Sequence, residues 1–319
     1  MSGLFDYTPK SNQPNLKRDQ DLLFRSIFKD NTMTQATIGV IGGSGLYAME
    51  GLEDVEELRL ETPYGSPSDA YIIGTIAGQR VAFLPRHARG HRLTPSEVPS
   101  RANIYGFKQL GVKHLISVSA VGSLQAELAP GHIVIPDQLF DRTKGIRPST
   151  FYGDGIVVHV GFDKPLDAKL GELLAQAALA NGATVHQGGT YVCMEGPQFS
   201  TLAESEENRR RGHSLIGMTA LPEAKLAREA EIAYAIMAMV TDYDAWHPDH
   251  DSVTVDMVVS VLQANSRLAQ ETVRSVVPLI GEGLESPAHS ALANAIMTDR
   301  SLIPEETRQR VALLAGKYL

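Results

Sequence analysis

The sequence predicts an α/β fold, a sheet with helices packed on its faces. Two observations carry this. Short apolar runs of strand length end in Gly, Ser or Asp, and stretches with helical periodicity lie between several of them. A third narrows it: no self-similarity recurs at a period of 20–50 residues, so a solenoid or propeller is excluded.

Each element follows in order. Residues 1–34 are rich in Ser, Asn, Gln, Lys and Asp, and only Leu22, Leu23, Ile27 and Phe28 offer an apolar face, which predicts a mobile head. From residue 37 the pattern changes. Thr37–Ile41, Val81–Leu84, His114–Val118, Ile133–Ile135, Thr190–Met194, Leu215–Met218 and Ile232–Val240 read as buried strands. Ser96–Leu110, Leu166–Ala180, Leu202–Arg211, Pro222–Glu229 and Val255–Leu279 read as helices, with Pro165 and Pro222 suited to first turns. From Ser286 onward two short amphipathic segments follow. Neither buries its apolar face alone, so they are expected to dock on the body or on a neighbouring subunit. The organisation expected is a head over 1–34, a domain over 35–283 and a helical tail over 284–319.

Composition excludes several classes of function. The 319 residues are 43% hydrophobic and 21% charged, enough apolar material for a sizeable core. With 29 basic against 37 acidic residues and no long basic run, nucleic acid and anionic membranes are poor partners. The longest apolar run, Ile232 to Val240, is far short of the roughly 20 residues that span a bilayer. A single cysteine, Cys193, forms no internal disulfide, which fits a reducing, cytoplasmic setting.

Six stretches could carry chemistry, most of them at predicted strand ends, where ligands of open α/β sheets sit. Gly39-Val-Ile-Gly-Gly-Ser44-Gly45 lets backbone N–H groups approach an anion and adds a hydroxyl. It equally matches a loose dinucleotide fingerprint or a plain turn. Arg86-His87 follows a buried strand, and an arginine there offers a planar fork suited to phosphate. Ser117-Val-Ser119-Ala120-Val-Gly122-Ser123 keeps small residues where a ligand lies on backbone. Met194-Glu195-Gly196-Pro197-Gln198-Phe199-Ser200 and Met218-Thr219 mix an apolar wall with hydroxyls, Thr219 lying near a helix N-terminus. Thr241-Asp242-Tyr243-Asp244 places two acids at the mouth of the most apolar strand, where a perturbed pKa is expected, or else a solvated turn. The His247-Pro-Asp249-His250-Asp251 cluster has no standard metal-ligand spacing and reads as a surface loop.

Together with Arg101-Ala-Asn-Ile104, and in this order and spacing, these stretches resemble the trimeric purine nucleoside phosphorylase superfamily, over roughly residues 37–281. The resemblance is nearest to the branch acting on S-methyl-5′-thioadenosine. It implies a single domain with a central twisted, mixed sheet. It also implies phosphorolysis of that nucleoside to adenine and S-methyl-5-thioribose 1-phosphate, with broader or 6-oxopurine specificity as the alternative. Phosphate is a co-substrate, and no cofactor or metal is implied. By the same resemblance Ser44, Arg86, His87, Ser119, Ala120 and Thr219 match phosphate positions, and Met218 matches a ribose contact. Asp242, Tyr243 and Asp244 match the stretch facing the base, with Asp242 as proton donor. Phe199, Ser200, Val255 and Val259 match base and methylthio positions, and His159 a residue lent by an adjacent subunit of a homotrimer. Val259 is smaller than the Leu often found there, which widens the methylthio pocket. A dinucleotide-dependent oxidoreductase is the rival from another class. It lacks an acid ending a second strand about 20 residues beyond the glycines, since Glu61 sits beside Thr62-Pro63. A silent nucleoside-binding module is disfavoured because the anion set and Asp242 are both retained.

Overall fold

The computed structural model describes residues 36–43, 46, 49, 51–248, 255–281 and 283–319. The head over 1–34 and Ser44 lie outside the described residues, as do residues 249–254.

Among the described residues, eleven strands form one mixed sheet. They are β1 (Ile38–Gly42), β2 (Glu53–Leu58), β3 (Tyr71–Ile76), β4 (Gln79–Pro85), β5 (His114–Ser123), β6 (Ile133–Ile135), β7 (Gln138–Arg142), β8 (Val185–Gln187), β9 (Thr190–Met194), β10 (Leu215–Gly217) and β11 (Ala233–Asp242). The order β2-β3-β4-β1-β5-β10-β9-β7 runs along one path, and β11 branches from β5 to carry β6 and β8. The ten-residue β5 is the fork. Its first half lies parallel between β1 and β11, and its end turns to pair antiparallel with β10 at Gly122 and Ser123. All residues of β1 and β11 are buried, as expected of strands covered on both faces.

The helices are α1 (Ser100–Gln109), α2 (Ala168–Ala180), α3 (Leu202–Arg210), α4 (Ala220–Glu229), α5 (Val255–Val276), α6 (Glu305–Arg310) and α7 (Ala312–Ala315). Each start has a local cause. Asp167 caps α2 by accepting from Leu170 N, and Thr201 with Glu204 forms a reciprocal capping box on α3. Helix α1 begins at Ser100 rather than Ser96. Thr94 and Glu97 close a turn of their own, and Pro99 steers Val98 away from helical backbone. Leu221 is extended, so the regular part of α4 starts at Pro222.

Four strands lie beyond the seven read from sequence. β2 is an exposed, acid-rich edge, β7 is largely exposed, β8 is short and half-buried, and the apolar run of β3 is interrupted by Gly74. The tail packs on the body through buried Leu292, Val311 and Leu314. It also satisfies a buried acid. Glu231 accepts from Leu292 N and the Tyr318 hydroxyl, with the Lys317 ammonium 2.6 Å away.

Another buried acid has no cation partner among the described residues. Glu229 accepts from Phe151 N and the Thr150 hydroxyl, and burial pushes its pKa up to about 7. The folded state therefore holds this proton more tightly than the unfolded chain, whose Glu titrates near 4.5. Stability is lost as pH rises from 4.5 through 7 and levels off above. Glu229→Gln removes the charge and keeps an acceptor. Its melting temperature relative to wild type is expected to be higher at pH 8 than at pH 5, and a difference that does not grow would overturn the assignment.

Candidate active site

The site is built where β5, β9, β10 and β11 end. Ser119 and Thr219 face each other, their hydroxyls 3.1 Å apart. Ser119 is buried on β5, Ala120 follows it half-buried, and Thr219 precedes α4. Three residues further along β5, Gly122 sits opposite Asp242 in the β5–β11 register. At strand rise this offsets the two positions by about 10 Å along β5. Gly122 is required by close approach: a Cβ there would lie 2.9 Å from Asp242 Oδ1 and 3.3 Å from Asp244 Cβ. Gly196, at φ +68°, likewise leaves room for the Met218 sulfur, which a Cβ would meet at 2.4 Å.

The two acids differ. Both oxygens of Asp242 are engaged, Oδ1 by Asp244 N at 2.8 Å and Oδ2 by the Thr241 hydroxyl at 2.7 Å. Asp244 is equally buried, and among the described residues its Oδ2 makes no well-formed hydrogen bond, with the Ser205 and Ser200 hydroxyls nearby. Burial raises both pKa values above the ordinary carboxylate range. At Asp242 the bonds from Thr241 and Asp244 N offset part of the rise, and the Asp244 charge adds to it. At Asp244 the nearby hydroxyls of Ser205 and Ser200 offset it. Between them, half-buried Tyr243 donates to Ala126 O at 3.3 Å.

The arginine fork read from sequence is not open. Arg86 is 3% exposed and grips Glu223 from Nε at 2.8 Å and Nη2 at 3.0 Å. Nη2 also reaches the Ser117 hydroxyl and Ile41 O, and Nη1 reaches Val118 O. At most one of the five N–H groups is left for an anion. The reason is packing: a guanidinium this deep needs a carboxylate, and Glu223 in the first turn of α4 supplies it while accepting from the Tyr234 hydroxyl. His87 is 9% exposed, with Nδ1 2.8 Å from Leu93 O. Burial, followed by the Arg86 charge, lowers its pKa to about 4. The ring is neutral at pH 7, Nδ1 carries the hydrogen, and Nε2 is an acceptor.

Other sequence-predicted residues sit at the margin. Phe199 is 42% exposed on the loop after β9, and the Ser200 hydroxyl is 3.8 Å from the Met194 sulfur. Val255 and Val259 stand exposed at the start of α5. His159 is exposed, and its N–H is bound to Ala295 O. It is not brought to the other site residues within this chain. Arg147 was not singled out from sequence. It is 7% exposed and joins the loops after β9 and β10, and nothing in Thr143–Thr150 marks it.

The Arg86–Glu223 pair generates a stability prediction. Arg86→Met leaves a buried, uncompensated carboxylate and is expected to cost about 3–5 kcal/mol. Arg86→Met combined with Glu223→Gln removes both charges and keeps an acceptor for Tyr234. Denaturant melts are expected to find the double variant more stable than the single one. A double variant as unstable as Arg86→Met would show that the unpaired charge is not the cause.

A family model described as phosphorylase superfamily matches residues 37–278. The chain is 68% identical to S-methyl-5′-thioadenosine phosphorylase of Chloroflexus aurantiacus, over 90% of this chain and 99% of that one. Among solved structures it is similar to a methylthioadenosine phosphorylase from an antarctic soil metagenomic library. There the TM-score is 0.85 at 50% identity, covering 88% of this chain and 99% of that one. It is also similar to methylthioadenosine phosphorylase from Schistosoma mansoni in complex with adenine, with a TM-score of 0.74 at 32% identity, covering 88% and 98%. The chain thus belongs to the phosphorylase superfamily and, within it, to the S-methyl-5′-thioadenosine phosphorylase family.

Proposed function

We propose that this chain catalyses phosphorolysis of S-methyl-5′-thioadenosine by inorganic phosphate. The products are adenine and S-methyl-5-thio-α-D-ribose 1-phosphate, in purine and methionine salvage. The observation that carries the reading is the contrast between the two acids. Among the described residues Asp244 presents a buried oxygen with no well-formed hydrogen bond, the Ser205 and Ser200 hydroxyls lying nearby, beside Asp242, whose oxygens are both engaged. A carboxylate only accepts, so that oxygen suits the 6-amino group of adenine and opposes a 6-oxo group. The Schistosoma mansoni relative crystallised with adenine supports the same base.

The chemistry follows from placement. Cleaving the glycosidic bond develops positive charge on the sugar and negative charge on the purine. Phosphate held by the Ser119 and Thr219 hydroxyls beside Ala120, with the Ser44, Arg86 and His87 stretches around it, meets the sugar carbon from the face opposite the base. Its charge stabilises the cationic sugar. Met218 backs the ribose. Asp242 delivers a proton toward N7 of the leaving base. The Thr241 hydroxyl has two acceptors, Asp242 Oδ2 at 2.7 Å and Val121 O at 3.2 Å. Turning to Val121 O frees Oδ2 to carry that proton. Phosphate is the co-substrate, and no cofactor takes part in this reading. Val255 and Val259 give the methylthio group an apolar wall beside Phe199 and Ser200.

One product assay tests function and base together. Methylthioadenosine and methylthioinosine are supplied with and without phosphate to wild type and to Asp242→Asn. Wild type is expected to need phosphate and to prefer the 6-amino substrate. The variant is expected to lose on the order of 10²–10⁴ in rate on methylthioadenosine and to narrow the gap between substrates. Free methylthioribose forming equally fast without phosphate would end the phosphorylase reading. Wild-type preference for the 6-oxo substrate would end the base assignment.

The assembly proposed is a homotrimer, or a multiple of it, in which His159 completes a neighbour's site. Exposed Val255, Val259 and Phe199 are the surfaces such a neighbour covers. Light scattering coupled to activity is expected to find the active species at trimer mass or above, and a fully active monomer would overturn it. Residues 1–34 are proposed as an extension carrying none of the site. A cytoplasmic setting is proposed on the lone Cys193 thiol, which is buried with its pKa pushed up to about 11, and cell fractionation checks it.

A further inference from the structure

We propose that Arg147 is a positioning residue for phosphate, acting through the Met218–Leu221 turn that carries Thr219. The inference rests on the reading that Thr219 meets phosphate.

Arg147 is buried and gives away every N–H it has. Nη1 donates to Met218 O at 2.7 Å and Leu221 O at 2.8 Å, carbonyls that bracket Thr219 on both sides. Nη2 donates to Glu195 O at 2.6 Å, with Met194 O at 3.5 Å. Nε donates to Glu195 Oε1 at 2.9 Å, with the Ser96 hydroxyl at 3.3 Å. The Glu195 carboxylate is held in turn by Lys144 N at 2.7 Å and by the Ser96 hydroxyl. With all five N–H groups engaged inside the protein, Arg147 has none for a substrate and is not a phosphate ligand.

What it does is fix geometry. The chain between Met218 and Leu221 belongs neither to β10 nor to the regular part of α4, and Leu221 is extended. Without the two Nη1 bonds the carbonyls on either side of Thr219 lose their common anchor. The Thr219 hydroxyl then loses its placement 3.1 Å from that of Ser119. The other edge of the guanidinium holds the Met194–Glu195 backbone, directly before Gly196, which backs on Met218. One planar group thus sets the phosphate turn against the loop leading to Phe199 and Ser200. Lysine keeps the charge beside Glu195 but lacks the fork, so it cannot hold four carbonyls and a carboxylate in one plane.

The test is a double-mutant cycle read in kcat/KM for phosphate, on full-length protein whose folding is checked by thermal melts. Arg147→Lys is expected to lower kcat/KM for phosphate by about 10²-fold, the scale of a displacement near 1 Å. Thr219→Val is expected to lower it also. If Arg147 acts through Thr219, the double variant is no more than about threefold worse than the poorer single variant. Losses that multiply in the double variant, or an Arg147→Lys enzyme with unchanged phosphate kinetics, would overturn the proposal. A Thr219→Val variant with unchanged phosphate kinetics would instead show that the reading of Thr219 is wrong, and the role of Arg147 would fall with it. Should Arg147→Lys fail to fold, Glu195→Gln replaces it in the same cycle. That variant leaves the Nη1 bonds and loosens the Glu195 side-chain contacts with Arg147 Nε, Ser96 and Lys144 N. It is expected to show a smaller loss in the same direction, again non-multiplying with Thr219→Val; no loss, or one that multiplies, would reject the proposal.

Discussion

The Arg86–Glu223 ion pair is the constraint on which the site depends. It lies where β1, β4, β5 and β11 meet the first turn of α4, and each of these elements touches it. Ile41 O, Ser117 Oγ and Val118 O accept from Arg86, and the Tyr234 hydroxyl donates to Glu223. Two charges this deep lose most of their hydration, and only near-complete hydrogen bonding offsets that loss. The sheet ends and α4 therefore cannot shift independently. Thr219, Ser119 and the strand end carrying Asp242 inherit their relative positions from a pair that itself has little to offer an anion.

Above this pair the loops need a second device. Backbone beyond a strand end has no ladder to hold it, and positioned chemistry tolerates little displacement. Buried Arg147 serves that purpose with carbonyls, whereas Arg86 uses a carboxylate and strand edges. The two arginines divide the work: one fixes where the strands end, the other fixes the chain that leaves them. Arg147 spends its whole fork inside the protein, and Arg86 all but one N–H.

Much of this was legible in the sequence, for reasons that also explain what was not. β1, β4, β5, β9, β10 and β11 are continuous apolar runs because both faces are covered, and such runs announce themselves. β2, as Glu53-Asp-Val-Glu-Glu-Leu58, is an edge whose charges guard against further pairing, so it carries no apolar signal. The Ser119–Ala120 and Thr241–Asp244 stretches stood out because small or acidic residues directly follow apolar strands. Glu195 was visible within its motif, but its partner is 48 residues away in a polar loop, and no local pattern predicts such a contact. The Glu223 partner of Arg86 was hidden for the same reason. Sequence shows a cation at a strand end, and only the fold shows that Glu223, 137 residues on, has already taken it.

The difference between Asp242 and Asp244 arises from one backbone feature. Asp244 has φ +51°, a left-handed conformation costly for most residues and tolerated by aspartate. That turn directs its N–H back onto Asp242 Oδ1 at 2.8 Å. The bond satisfies the first acid, and among the described residues the second acid's Oδ2 makes no well-formed hydrogen bond. Gly122, lacking a Cβ, lets both carboxyl groups crowd against β5. Two chemically identical side chains two residues apart thereby acquire separate tasks. One is tied into a proton-holding network with Thr241 and Val121, and the other presents a desolvated acceptor that only a donor can satisfy. An unmatched acceptor in a closed pocket costs about 1–3 kcal/mol. On the proposed reading, preference for an amino over an oxo group is set by a backbone dihedral and a missing Cβ as much as by the acids themselves.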